Sequence, residues 1–173
     1  AHLRLGVTIV FDCIFTSVLV AGVVTNGLLA GVFFAFSCAI NPGFRHIDDR
    51  SYVGAFRAIN GVILNGWFLS VFLVAPLTAV AGAILAVGRE DVSAFGWLVV
   101  GAACSVLSFG ITAAGNVPLN RALDRAPADT AQRLRDTRKG FEAPWNRWNH
   151  TRTVLSTGAL VTLSLIHISE PTR

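Results

Sequence analysis

The chain has no methionine, a single tyrosine and three cysteines, and only 14 % of its 173 residues are charged. Each shortage excludes something. A soluble domain carries charge on about a quarter of its residues, so a soluble fold is not expected. Cys13, Cys38 and Cys104 are odd in number, form no Cys-x-x-Cys pair and lie in or beside apolar runs. They read as small inert hydrophobes. Apart from the C-terminal tail, histidine occurs only at positions 2, 46 and 150, and the acids Asp48, Asp49 and Glu142 fall between the apolar runs. No Glu-x-x-His pair or other ligand spacing is present, so no metal site and no cofactor are expected. A phosphate-binding loop, a dinucleotide fingerprint and a hydrolase elbow are also missing. The net charge of +4 comes without a basic-aromatic surface pattern, which excludes nucleic acid as a partner. Without a methionine, Ala1 is not expected to be a natural start.

Apolar residues make up 53 % of the chain, and the mean hydropathy is +0.61. A membrane helix needs roughly 20 apolar residues. Three stretches qualify: about 17–40, 62–87 and 96–117. The first lies inside a longer apolar run interrupted by Asp12. A fourth span starts near Trp148 and reaches Thr162, about 15 residues and roughly 22 Å of helix. The last eleven residues, Leu163–Arg173, read as the translation of a transposase-type sequencing adapter, so a foreign tail is expected there. The expected organisation is an N-terminal extension (1–16), a four-helix membrane domain (17–162) and that tail (163–173). The fold class is all-α, an integral membrane antiparallel four-helix bundle with short cytoplasmic helices between spans 1 and 2 and between spans 3 and 4. Arg45, Arg50 and Arg57 follow the first span, and eight Arg or Lys residues from Arg121 to Arg152 follow the third. Only Arg4 and Arg89 lie on the other side. The positive-inside rule then puts 41–61 and 118–147 in the cytoplasm of a multi-pass plasma-membrane protein, with "GREDVSAF" outside.

The segment "DDRSYVGAFRAIN" offers an aspartate cap and then Tyr52, Phe56 and Ile59 on one helical face, a helix suited to lie on the membrane. "PADTAQRLRDTRKGFE" is polar nearly all round and reads as a solvated helix. Gly27-Leu-Leu-Ala-Gly31 is a GxxxG that supports close helix packing and leaves a homodimer open. Pro76 allows a kink in the second span.

Polar side chains converge at one end of this topology. Of eight asparagines, only Asn26 is mid-span; Asn41, Asn60, Asn65, Asn116, Asn120, Asn146 and Asn149 sit at the cytoplasmic ends of all four helices. Each alone could be a helix cap. Together they could ring one mouth. In "PWNRWNHTR", Trp145, Trp148, Asn149 and Arg152 follow i, i+3, i+4 and i+7 and share one face. An aromatic belt would explain the tryptophans and snorkelling would explain Arg152, but that face is also suited to point into the mouth.

Four segments in this order resemble the anthrone oxygenase family of small four-helix membrane proteins: "GLLAGVFFAFSCAINPGF", "FRAIN", "NVPLN" and "FEAPWNRWNHTR", within residues 17–162. The resemblance implies an oxygenase that oxidises a flat anthrone-like aromatic with O2 to a quinone, without metal or flavin. Such chemistry needs a base, donors for an oxyanion and a flat apolar slot. His150 is the base candidate, with His46 second, although an interfacial solvated role suits His150 as well. Arg152, Asn149, Asn116 and Asn120 could hold the oxyanion. Trp145, Trp148, Phe36, Phe33 and Phe34, with Asn41 and Asn60, could hold the substrate. The expected partners are a small hydrophobic aromatic, O2 and the bilayer. The alternative is a non-enzymatic membrane protein, a small-molecule carrier or an assembly subunit. The spans carry no charge at mid-depth, which speaks against a carrier.

Overall fold

The structure, a computed structural model, describes the backbone of residues 2–87 and 92–169 and the side chains of residues 6–87 and 94–166. The expected outer turn "GREDVSAF" lies mostly outside these, as does the end of the tail. The helix α1 (His2–Ala35) runs through a π-helical turn (Phe36–Ile40) into α2 (Asn41–Phe44). Then come α3 (Asp49–Ile63) and α4 (Gly66–Leu85). The helix α5 (Val92–Ile111) passes through a second π turn (Thr112–Asn116) into α6 (Val117–Arg125), and α7 (Ala131–Ser169) follows. No strand occurs among the described residues.

Three stretches are long and apolar enough to cross a membrane: Gly6–Phe44, Gly66–Leu85 and Ala94–Arg125. The first is longer than its sequence suggested, because Asp12 does not break the helix. The outward faces carry bulky apolar side chains such as Val24, Leu28, Leu73, Leu77, Val106 and Leu107, while Asn26, Ser105, Ser108 and Ser156 are buried. Water-soluble helices arrange these types the other way round. Polar groups inside and hydrocarbon outside is the arrangement lipid favours.

α1 and α5 each pack against both α4 and α7. Along α1, Leu19, Gly22 and Asn26 meet Gly82, Thr78 and Ala75 of α4. Gly22, Gly27 and Phe33 meet Leu163, Leu160 and Asn149 of α7. In both pairs the partner numbers fall as those of α1 rise. The tightest approaches are elsewhere than in the GxxxG. A Cβ added at Gly101 would lie 2.9 Å from Thr162 Oγ1, and one at Gly115 would lie 3.0 Å from the Trp148 ring, whereas one at Gly31 would meet nothing.

The polar segment expected as a separate solvated helix is instead the first half of the 39-residue α7, which continues through Pro144. Its polar composition hides a stripe: Leu134, Phe141, Trp145, Asn149, Arg152, Ser156, Ala159, Leu163 and Ile166 are all buried, and Arg138 fills the gap before Phe141. Their three- and four-residue steps keep one helical face turned inward. Leu163 and Ile166 join a core cluster with Phe15, Leu19 and Leu98.

The first half of α7 docks on α3 through aromatic rings and on α6 through Leu123. Phe56 packs edge-on against Phe44, Phe141 and Trp145, and Tyr52 lies against Phe44 and Phe56. Asp48 caps α3 by accepting from the amides of Arg50 and Ser51, as its sequence suggested. Arg138 staples α7 to the turn between α2 and α3. It donates to the carbonyls of Phe44 and Ile47, pairs with Asp49 and Glu142, and lies 4.3 Å over the Tyr52 ring. Burial works against its charge, but the two carboxylates outweigh that and hold its pKa above the usual arginine value. Arg57 caps α6 through the carbonyls of Leu123 and Ala126.

Candidate active site

The site forms where α1 and α5 leave their regular register. Each π turn ends two residues before a proline, Pro42 or Pro118. A proline donates no amide hydrogen, and its ring crowds the carbonyl four residues back, here Cys38 and Ala114. Widening the turn relieves that clash. The Asn41 amide accordingly donates to the Phe36 carbonyl, and the Val117 amide to the Thr112 carbonyl, both five residues back. Such turns are frequent at functional sites. The wide turns place Phe36 and Asn116 toward α7.

Between these turns, α3 and the start of α4 lies a cleft of about 550 Å3, counting its open mouth. Its walls are Phe33, Phe36, Phe56 and Trp145, with Ile59, Ile63 and Phe68 nearer the α3–α4 hinge. Its polar lining is Asn60, Thr112, Asn116, Asn120 and Arg152. Among the described residues Arg152 is the only charged one in this lining.

Arg152 is 7 % exposed. Among the described residues no carboxylate pairs with it. Its Nε and Nη2 donate to Asn149 Oδ1 at 3.1 and 2.9 Å. Its guanidinium lies 4.0 Å over the Phe33 ring and 5.2 Å from the Trp145 ring centre. The two rings supply cation–π attraction but no countercharge. Isolating a charge from water costs several kcal/mol, on the order of the strongest interactions in a fold. The arrangement therefore suits an anion arriving in the cleft.

The asparagines divide the work. Asn116 Nδ2 donates to the Trp145 carbonyl at 3.4 Å, while its Oδ1 is buried without a partner. Asn116 lines the cleft, and a buried acceptor left without a partner is uncommon. Asn120 Oδ1 accepts from Trp145 Nε1 at 2.8 Å and fixes the indole. Asn60 lines the cleft and donates to Asp124 at 3.3 Å. Asn65 caps α4 through the Phe68 amide. The asparagines therefore do not form one ring.

Other expected site residues fall outside the cleft. Asn149 is fully buried behind Arg152 and faces α1 rather than the cleft. Trp148 packs on Gly115, with Arg147 5.8 Å from its ring centre. Asn41 is buried with neither amide atom partnered, yet it is not a wall of the cleft. His150 and His46 are exposed. His150 follows Asn149 directly, so the helix turns it about 100° away from the Asn149–Arg152 face. Phe34 is likewise turned out, 59 % exposed. Among the described residues no histidine, carboxylate or lysine lines the cleft. No group of three or more metal-ligating side chains occurs among the described residues.

Sequence reasoning did not reach Thr112, Phe68 or Ile63. Thr112 carried a signal, one turn before Asn116 on the same face. Phe68 and Ile63 depend on how the α3–α4 hinge folds back, which no local pattern shows.

An apolar-walled cleft with one buried cation, set among helices long and apolar enough to cross a membrane, defines the class as a helical membrane protein with a polar group in its interior cleft. The family model described as anthrone oxygenase matches residues 66–162, more than half of the chain. The chain belongs to the anthrone oxygenase family. No curated protein and no solved structure matches it.

Proposed function

We propose that the protein is a membrane-embedded, cofactor-independent oxygenase that oxidises a flat, anthrone-like aromatic with O2 to a quinone. The observation that carries this reading is Arg152: a buried cation with no carboxylate partner among the described residues, beside two aromatic rings and lining an apolar-walled cleft. An anthrone has an acidic CH2 opposite a ketone. Loss of one proton spreads negative charge onto the ketone oxygen, where the Arg152 guanidinium stabilises it. The anion transfers an electron to O2, and recombination at the former CH2 carbon gives a hydroperoxide. Loss of water leaves the second carbonyl. One oxygen atom of O2 ends in the quinone and the other in water. With no side-chain base in the cleft, the first proton leaves to water at the mouth, and Arg152 contributes by making that proton more acidic. His150 has no part in this scheme. In the bilayer the four long helices form an antiparallel bundle, with 41–61 and 118–147 on the cytoplasmic side.

The missing base favours a second reading, in which the cleft holds an aromatic anion without turning it over. Purified protein in detergent, given an anthrone and O2, separates the two. Quinone formation well above the autoxidation blank supports the oxygenase; saturable binding with no rate above the blank supports the carrier.

A further inference from the structure

We propose that Ser37, acting through Asn149, is a positioning residue that sets the direction in which Arg152 presents its free edge to the cleft. This rests on the reading of Arg152 as the anion holder.

Ser37 lies in the first π turn, 112 residues from Asn149, and the two side chains meet at 2.8 Å. Asn149 Nδ2 donates one hydrogen to Ser37 Oγ and the other to the Phe33 carbonyl at 3.0 Å. Its Oδ1 takes Nε and Nη2 of Arg152. All four hydrogen-bonding positions of the amide are thereby used. A flipped amide would put oxygen against the Phe33 carbonyl, so the orientation is fixed by its partners.

The hydroxyl hydrogens are ordered as well. Thr153 Oγ1 donates to the Asn149 carbonyl at 2.7 Å. The Ser37–Thr153 contact at 3.1 Å therefore has Ser37 as donor, which leaves its oxygen to accept from Asn149. Donation therefore runs from Arg152 through Asn149 and Ser37 to Thr153. With Nε and Nη2 held, Nη1 is the edge left for the cleft. Loss of the Ser37 hydroxyl leaves one amide hydrogen without an acceptor in a buried setting, where an unmade bond is costly. The amide then tilts, and the guanidinium with it.

The test uses the full chain in detergent and two probes: 2-hydroxyanthraquinone, at a pH where the free phenol is ionised, and its 2-methoxy ether. Affinity is read by difference absorbance. The wild-type protein is expected to prefer the anion. Ser37→Ala should cut anion affinity about tenfold, the scale of one charge-linked hydrogen bond, and leave the ether within about twofold. Ser37→Thr, which restores a hydroxyl, should recover the preference. If Ser37→Ala does not fold, Thr153→Val removes the acceptor of the Ser37 hydrogen and should show a smaller loss, again for the anion alone. Equal weakening of both probes, or an unchanged preference, overturns the positioning role. A wild-type protein with no preference that Arg152→Gln removes would overturn the anion-holding reading itself, and this inference with it.

Discussion

Tyr52 is the only tyrosine in the chain and is 1 % exposed, so its ionisation can be followed without interference. Burial, reinforced by the charge of Glu142, pushes its pKa well above the ordinary 10.0, against the opposing pull of Arg138. Below pH 10 the phenol is neutral in both folded and unfolded chains, and its contribution to stability is complete. Above pH 10 the unfolded chain releases the proton while the folded one retains it. Stability then falls with rising pH by no more than about 1.4 kcal/mol per unit until the folded pKa is reached. An absorbance titration should show the phenolate appearing only as helicity is lost, and Tyr52→Phe should flatten the alkaline limb. A phenolate spectrum at pH 10 with full helicity would contradict the burial of this ring. Some residues of the site were legible and others were not, for a simple reason. Trp145, Asn149 and Arg152 declare a common face by spacing alone. Ser37 declares nothing, because its partner is 112 residues away and serine is ordinary in an apolar helix.

At the level of elements, the long apolar helices were readable from composition, and the α3 cap from its aspartates. The full length of α7 was obscured by averaging over a polar surface. The stripe from Leu134 to Ile166 is visible once positions are followed at three- and four-residue steps. The π turns had a readable cause in Pro42 and Pro118, but the same prolines could have ended the helices. They did not, because α2 and α6 continue each axis. Pro118→Ala restores an amide donor to the Ala114 carbonyl and favours an ordinary α turn. That tightening rotates Asn116 away from Trp145 and the cleft. The thermal midpoint should hold or rise, since alanine is the better helix residue, while anion affinity and turnover drop about tenfold or more. Unchanged affinity in a stable Pro118→Ala protein would show that the wide turn does not shape the site.

For the whole molecule, the inside-out distribution of polarity places the protein in lipid and leaves its polar chemistry to the interior. The asparagine count exaggerated the convergence of these side chains. A helix end has two sides, and only Asn60, Asn116 and Asn120 face the cleft. In the proposed function the site depends instead on a single cation, Arg152, whose countercharge comes with the ligand. The most direct measurement is therefore oxidation of an anthrone under 18O2 by the purified protein and by Arg152→Gln, compared with the uncatalysed rate. Catalysis by way of Arg152 requires one labelled oxygen in the quinone and a loss on the order of 10²–10³ in kcat/KM for the variant. A folded Arg152→Gln protein that forms quinone as fast as the wild type, or a wild-type rate no higher than autoxidation, would contradict it.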